Sequence, residues 1–179
     1  MNPQRVRVFY ALWPDRRVNS ALAEAAQRMH RVVSGRRIRD DSIHLTLAFV
    51  GDVESVRLAE LLAPPAVSTV ARFTLTLDCW GCWPRNGIAW VGPSRVPDPL
   101  RELTGVMEAW LRDAGFEMNA RPFNPHVTLI RKAQCAPLPG SLPKIQWQVD
   151  DFVLVRSTLV PDGSRYETIG RWPLLKAKS

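Results

Sequence analysis

The sequence predicts an α+β fold, built from short strands, hairpins and two long helices. Three observations carry this. Short apolar runs of strand character alternate with two long stretches of helical periodicity. The order helix, short strand, hairpin occurs twice along 179 residues. The two short strands share a local pattern, His44-Leu45-Thr46-Leu47 and His126-Val127-Thr128-Leu129.

Val6 to Leu12 is rich in β-branched and aromatic residues and reads as the first strand. Pro14 and Asp15 then open a helix, with Asp15 as its N-cap. Val18, Leu22, Ala25, Met29 and Val32 recur at helical spacing and are expected to face the core. Gly35 is the expected stop. A basic loop leads into a strand over Ile43 to Val50, ended by Gly51. Val53 to Leu62 reads as a second helix, stopped by Pro64 and Pro65. Phe73 to Trp80 alternates as a strand. Ile88 to Val91 is its hairpin partner, across a turn holding Pro84, Asn86 and Gly87.

The order then recurs. Pro97 and Asp98 open a helix, with Pro99 suited to its first turn. Its stripe is Leu100, Leu103, Met107, Trp110, Leu111 and Ala114, and Gly115 closes it. His126 to Ile130 is a short strand. A Pro-rich connection, Pro137 to Pro143, precedes a last hairpin from about Val149 to Val160 and from about Tyr166 to Trp172. Its turn is Pro161 to Gly163. His44 and His126 lie 82 positions apart, and the helix starts at Asp15 and Asp98 lie 83 apart. This spacing reads as a single domain made of two pseudo-repeats, about 14–92 and 97–173.

Composition narrows the function classes. Apolar residues are 46% and charged residues 23%, the balance of a globular chain rather than a disordered one. The formal charge is +7, with Arg28, Arg31, Arg36, Arg37 and Arg39 close together. Guanidinium forks suit phosphate oxygens, so a polyanion fits this surface, as does a merely solvated basic face. No run approaches a membrane span and no apolar leader opens the chain. A cytoplasmic protein is the expectation, and nothing in the sequence demands more than a monomer. The three cysteines are too few and too odd for a disulfide framework. Cys79 and Cys82 form a C-x-x-C without a second pair, and read as ordinary strand-end cysteines.

The chemistry lies in the repeated pattern. Residues i and i+2 of a strand share a face, so His44 projects with Thr46 and His126 with Thr128. Leu45, Leu47, Phe49, Val127 and Leu129 are expected on the opposite, apolar face. Imidazole titrates near neutrality, so two converging rings can act as base and acid on one phosphodiester. The threonine hydroxyls can donate to its non-bridging oxygens. A zinc site on the two histidines lacks a third ligand, so no metal or other cofactor is expected. His30 reads as a surface residue. Most of the seven tryptophans read as core, though some can stack on bases.

The sequence resembles the two-histidine phosphoesterases, and within them the RNA 2′,3′-cyclic phosphodiesterases, also called 2′-5′ RNA ligases. The resemblance rests on RVFYALWP, IHLTLAFVGDV, RPFNPHVTLIR and the closing FVLVRSTLVPDGSRYETIGRWPL. It implies a bilobal fold of two pseudo-symmetric lobes, with antiparallel sheets lining a central positive cleft and helices outside. It implies His44 as proton donor, His126 as proton acceptor, and Thr46 and Thr128 as phosphate contacts. The implied substrate is RNA ending in a 2′,3′-cyclic phosphate, opened to a 2′-phosphomonoester, with 2′-5′ joining as related chemistry. Small cyclic nucleotides, or RNA binding without turnover, are the rival readings. Relatives often carry a tryptophan shortly before the first motif. Here that stretch reads GRRIRDDS. Arg131 follows the second motif as in many relatives, but strand alternation points it away from the His126 face.

Overall fold

Asp15 caps the first helix as expected. Its carboxylate accepts from the Val18 amide at 2.8 Å, answering one of the amides that a helix start leaves unpaired. The structure, a computed structural model, describes residues 4–63, 70–118, 122–135, 140, 144–161 and 163–176. The helix it caps is α1, Arg16–Val33, preceded by β1, Arg5–Leu12. Val18, Leu22, Ala25, Ala26, Met29 and Val33 of α1 are buried, whereas Val32 is exposed. The apolar stripe ends one residue later than the spacing suggests.

The basic loop contains a two-residue strand, β2, Arg36–Arg37. β3 then runs Leu45–Glu54, which overturns the helix expected from Val53. Gly51 does not end β3. It sits at a bulge, where Val8 faces Gly51 and Phe9 faces Phe49, leaving Val50 unmatched. Its φ of +90° is a conformation that favours glycine, and the strand continues beyond it. The helix shrinks to a 3₁₀ turn, Ser55–Arg57, and one turn of α2, Leu58–Leu61. Pro64 and Pro65 lie outside the described residues.

The strand expected over Phe73 to Trp80 is two strands, β4 (Phe73–Leu77) and β5 (Cys79–Trp83). Asp78 breaks them apart. Its carboxylate accepts from the Ser94 amide at 2.7 Å and the Ser94 hydroxyl at 2.8 Å. β5 forms the hairpin with β6, Ile88–Gly92, while β4 pairs with β8, Ile145–Val149. β8 is a strand that the sequence reading does not separate from the last hairpin. The remaining elements are α3 (Asp98–Asp113), β7 (Val127–Arg131), β9 (Asp151–Val160) and β10 (Gly163–Pro173). Of the Pro-rich stretch 137–143 only Gly140 is described, and Asp162 of the last turn lies outside the described residues.

The large sheet has the order β10-β9-β1-β3-β7-β6-β5, with β2 alongside β7. Its two sides meet at a seam of one registered pair, Leu45 against Val127. Within the sheet, the two lobes therefore meet at one registered pair. The hairpin β5–β6, which precedes α3, extends β7. The hairpin β9–β10, which follows β7, extends β1 and β3. Helices cross in the same sense: α1 packs on β7 and β8, and α3 on β3. The core is continuous across both lobes, including Leu12, Leu22, Leu45, Leu103, Val127 and Phe152. Tyr10 is wholly buried within it and donates its hydroxyl to the Leu61 carbonyl at 2.6 Å.

Two local features lend themselves to stability tests. Cys82 and Cys135 are bonded, with Cα atoms 5.7 Å apart, whereas Cys79 is free. Cys82 is therefore not an ordinary strand-end thiol. The chain after β7 folds back past β5: the Ala133 amide donates to the Gly87 carbonyl at 2.9 Å. The bond closes a separation of 53 residues, which by chain entropy is a stabilisation of about 2–4 kcal/mol. Reductant, or Cys135→Ser, is expected to lower the melting temperature by several degrees in a thermal scan. An unchanged midpoint would count against a formed bond.

The second is Gly81, opposite Trp90 in the hairpin. A Cβ there would lie 1.9 Å from the indole. Gly81→Val is expected to dislodge Trp90 and cost about 1–3 kcal/mol, as overpacking does. A drop of a few degrees in melting temperature checks this.

Candidate active site

His44 stands at the entrance of β3 and His126 at the entrance of β7. Each is tethered in the same way. His44 Nδ1 lies 2.7 Å from the Ser42 carbonyl, and His126 Nδ1 lies 2.7 Å from the Asn124 carbonyl. A carbonyl only accepts, so Nδ1 carries the proton in both rings. That leaves Nε2 bare in the neutral imidazole, free to take a proton and, once protonated, to give one.

The seam places them together. β3 and β7 are antiparallel with Leu45 opposite Val127, so His44 faces Thr128 and Thr46 faces His126. The four side chains form a square on one face, with the histidines at diagonal corners. Diagonal positions on neighbouring strands are about 7–8 Å apart, a gap that one phosphate spans. All four line one cleft of about 560 Å³. The structure thus brings together every residue assigned from the motifs.

Arg131 lines the same cleft, against the expectation from strand alternation. The reason is a bulge. Trp90 faces Thr128 and Ala89 faces Ile130, so Leu129 has no partner on β6. Leu129 and Ile130 are both wholly buried, and the extra residue turns Arg131 onto the histidine face. β3 has the same irregularity: Ala11 faces Thr46 and Tyr10 faces Ala48, leaving Leu47 unmatched. Leu47 and Ala48 are buried, and Phe49 emerges in the cleft, 45% exposed. This corrects the expectation that Phe49 joins the apolar layer. Two consecutive apolar residues after each threonine are the signal in the sequence.

Arginines set the charge of the cleft: Arg7, Arg36, Arg37, Arg39 and Arg131 all line it. Arg7 is held by Asp52 at 2.9 Å, Arg37 by Asp40 at 3.2 Å and Arg39 by Asp41 at 3.0 Å. No ion pair among the described residues engages Arg131. Arg37 Nε is buried without an acceptor, a donor suited to an incoming oxygen anion.

Aromatic walls enclose the rings. Trp13 stacks on His44 at 5.3 Å, Phe9 packs on it at 4.9 Å, and Tyr166 meets it edge-on at 5.2 Å. Trp83 meets His126 edge-on at 4.6 Å. Trp13, Trp83 and Trp90 therefore pack behind the histidine rings, while Trp147 is core. Burial pushes the His44 imidazolium down to about 4, with the Arg131 and His126 charges adding to it against the Ser42 hydrogen bond. Burial also lowers His126, with Arg131 adding and the Asn124 hydrogen bond opposing. Both shifts favour the neutral imidazole.

His30 lies outside the cleft, its Nε2 2.9 Å from the Gly35 carbonyl. Among the described residues no group of three or more His, Cys, Asp or Glu could hold a metal. No helix among them is long and apolar enough to cross a membrane.

Two His-x-Thr strands meeting at the joint of two lobes define the two-histidine phosphoesterase fold. Comparison with solved structures agrees. A crystal structure described as a phosphoesterase superposes with a TM-score of 0.86 at 29% identity, over 97% of this chain and 100% of that one. LigT of E. coli complexed with 3′-AMP gives 0.84 at 28% identity, over 96% and 99%. The chain belongs to the 2′-5′ RNA ligase superfamily, whose family model matches residues 18–160. Among curated relatives, the RNA 2′,3′-cyclic phosphodiesterase of Escherichia coli is 34% identical over 79% of this chain and 81% of its own. That of Thermus thermophilus is 30% identical over 94% and 90%.

Proposed function

We propose that this chain hydrolyses RNA 2′,3′-cyclic phosphodiester ends to 2′-phosphomonoesters, with His44 as general acid and His126 as general base and without a metal. The observation that carries the reading is the pair of Nδ1-tethered imidazoles on adjacent strands, facing one basic cleft. The names of the relatives support the substrate. His126 Nε2 takes a proton from the attacking water. The new P–O bond forms as the bond to the ribose 3′-oxygen breaks. His44 Nε2–H supplies the proton that the 3′-oxygen needs, and the phosphate stays on the 2′-oxygen. Thr46 and Thr128 donate to the non-bridging oxygens, where charge gathers. Arg131 adds a charge-assisted contact to them. A 5′-hydroxyl in place of water leads by the same steps to a 2′-5′ linkage, which is the ligation reading. A monomer of this cleft is sufficient, since both histidines come from one chain.

The test is a short RNA ending in a cyclic phosphate, incubated with the protein in excess EDTA. Product carrying a 2′-phosphate is expected. A 3′-phosphate product would reverse the leaving group, and activity restored only by zinc would remove the metal-free mechanism.

The pH dependence follows from the lowered histidines. Turnover needs one imidazole protonated and one neutral. Both are depressed below 6.5 in the empty cleft, so the competent form declines as pH rises past that range. kcat/KM, which reports the free protein, is expected to form a bell with its optimum below pH 6.5. Bound phosphate is anionic and favours the imidazolium, so the kcat profile is expected to lie at higher pH. Coincident profiles centred above pH 7 would contradict this.

A further inference from the structure

β3 and β7 carry the same bulge after the threonine, but what it presents differs. β7 turns a cation, Arg131, into the cleft. β3 turns an aromatic ring, Phe49, into it. The pair of strands is near-symmetric up to that residue, and there the symmetry breaks.

Phe49 is also the aromatic ring of this cleft left open. The aromatic side chains lining it besides the two histidines are Phe9, Phe49 and Tyr166. Phe9 is 3% exposed and packed on His44, and Tyr166 is set edge-on against both Phe9 and His44. Phe49 is paired with Phe9 across β1 and β3, one strand away from the ring that touches His44. Its ring contact is the Arg7 guanidinium, 6.0 Å from its centroid. The cleft runs on past it, lined by Arg7, Ser157 and the exposed Leu159. A lone exposed phenylalanine is ordinary. One that lies in the cleft of the two histidines, beside arginines, is placed to meet a ligand.

The geometry limits that ligand. A ribose that carries a terminal cyclic phosphate continues in one direction only, through its own 5′-oxygen. Any binding surface beyond the first nucleotide takes the nucleotide on that side. His44 and Phe49 are five residues apart on a strand with one extra residue, so the reach is at most about 16 Å, within the first few nucleotides on that side. We propose that Phe49 is a stacking platform for the base on the 5′ side of the nucleotide bearing the cyclic phosphate, so that the cleft selects RNA chains over free cyclic nucleotides. This rests on the cyclic phosphate binding between His44 and His126. Every base has a π-face, so the platform reads the presence of a base rather than its identity.

The test measures binding in the His126→Ala background, where turnover is blocked, with turnover by the unaltered chain followed alongside. The probes are an RNA trinucleotide ending in a 2′,3′-cyclic phosphate, the same trinucleotide abasic at its middle position, and the cyclic mononucleotide. Phe49→Ala is expected to weaken the trinucleotide by about 5- to 150-fold and the mononucleotide at least fivefold less. The abasic probe is expected to lose as much, with Phe49→Ala adding nothing further to it, and Phe49→Trp is expected to restore binding. Additive losses, equal losses on trinucleotide and mononucleotide, or a trinucleotide bound no more tightly than the mononucleotide would overturn the platform. If the unaltered chain leaves the cyclic phosphate intact while the stacking losses appear, the hydrolytic reading falls and the platform stands.

Discussion

Replacing either histidine with alanine is expected to lower kcat by more than about 10²-fold, the usual contribution of a positioned acid or base. The two act on one phosphate, so the double variant is expected to lose far less than the product of the two single losses. A rate within tenfold of the unaltered chain for either single variant would sink the two-histidine reading. Folding is checked separately by the melting temperature. His44 has its own signature there. Its folded pKa is depressed to about 4, so the unfolded chain takes up a proton that the folded chain refuses as pH falls below 6.5. Stability is therefore complete above about pH 6.5 and declines toward pH 4. His44→Ala is expected to soften that decline, which a series of thermal scans reads directly.

The second large effect is expected at Arg131. Charge-assisted hydrogen bonds contribute about 1.5–3 kcal/mol, so Arg131→Gln is expected to lower kcat/KM by about 10- to 150-fold. Arg131→Lys is expected to recover part of this, since an ammonium keeps the charge but loses the two-pronged geometry. The substitution to glutamine also removes a positive charge that depresses both imidazoles. The kcat/KM optimum is therefore expected to move to higher pH in Arg131→Gln. A rate loss with an unmoved profile would place Arg131 outside the electrostatic field of the pair.

The two His-x-Thr strands and both long helices are legible in the sequence because each depends on local spacing. Asp15, His44, Thr46, His126 and Thr128 lie where alternation and capping put them. Arg131 and Phe49 depart from alternation for one shared reason. Alternation assumes an unbroken pleat, and a single unmatched leucine on each strand reverses the side chains that follow it, on β3 as far as the second bulge at Val50. Gly51 reads as a stop because glycine is rare inside strands, yet at a bulge it is what lets the strand proceed. The break at Asp78 depends on Ser94, across the β5–β6 hairpin, and the Cys82–Cys135 bond on a return of the chain past β5. Neither partner is near in sequence. Pairing of β4 with β8 is more remote still, and no window of residues contains both strands.

The exchange of hairpins between lobes has a consequence for synthesis on the ribosome. β1 emerges first, but its outer neighbour is β9, at Asp151–Val160. One hydrogen-bonding edge of β1 therefore has no native partner until most of the polypeptide has been made. The lobe holding His44 cannot finish folding as an early, independent unit. Contacts of such long sequence separation are slow to form, so assembly of the nascent molecule is expected to be late and concerted rather than stepwise.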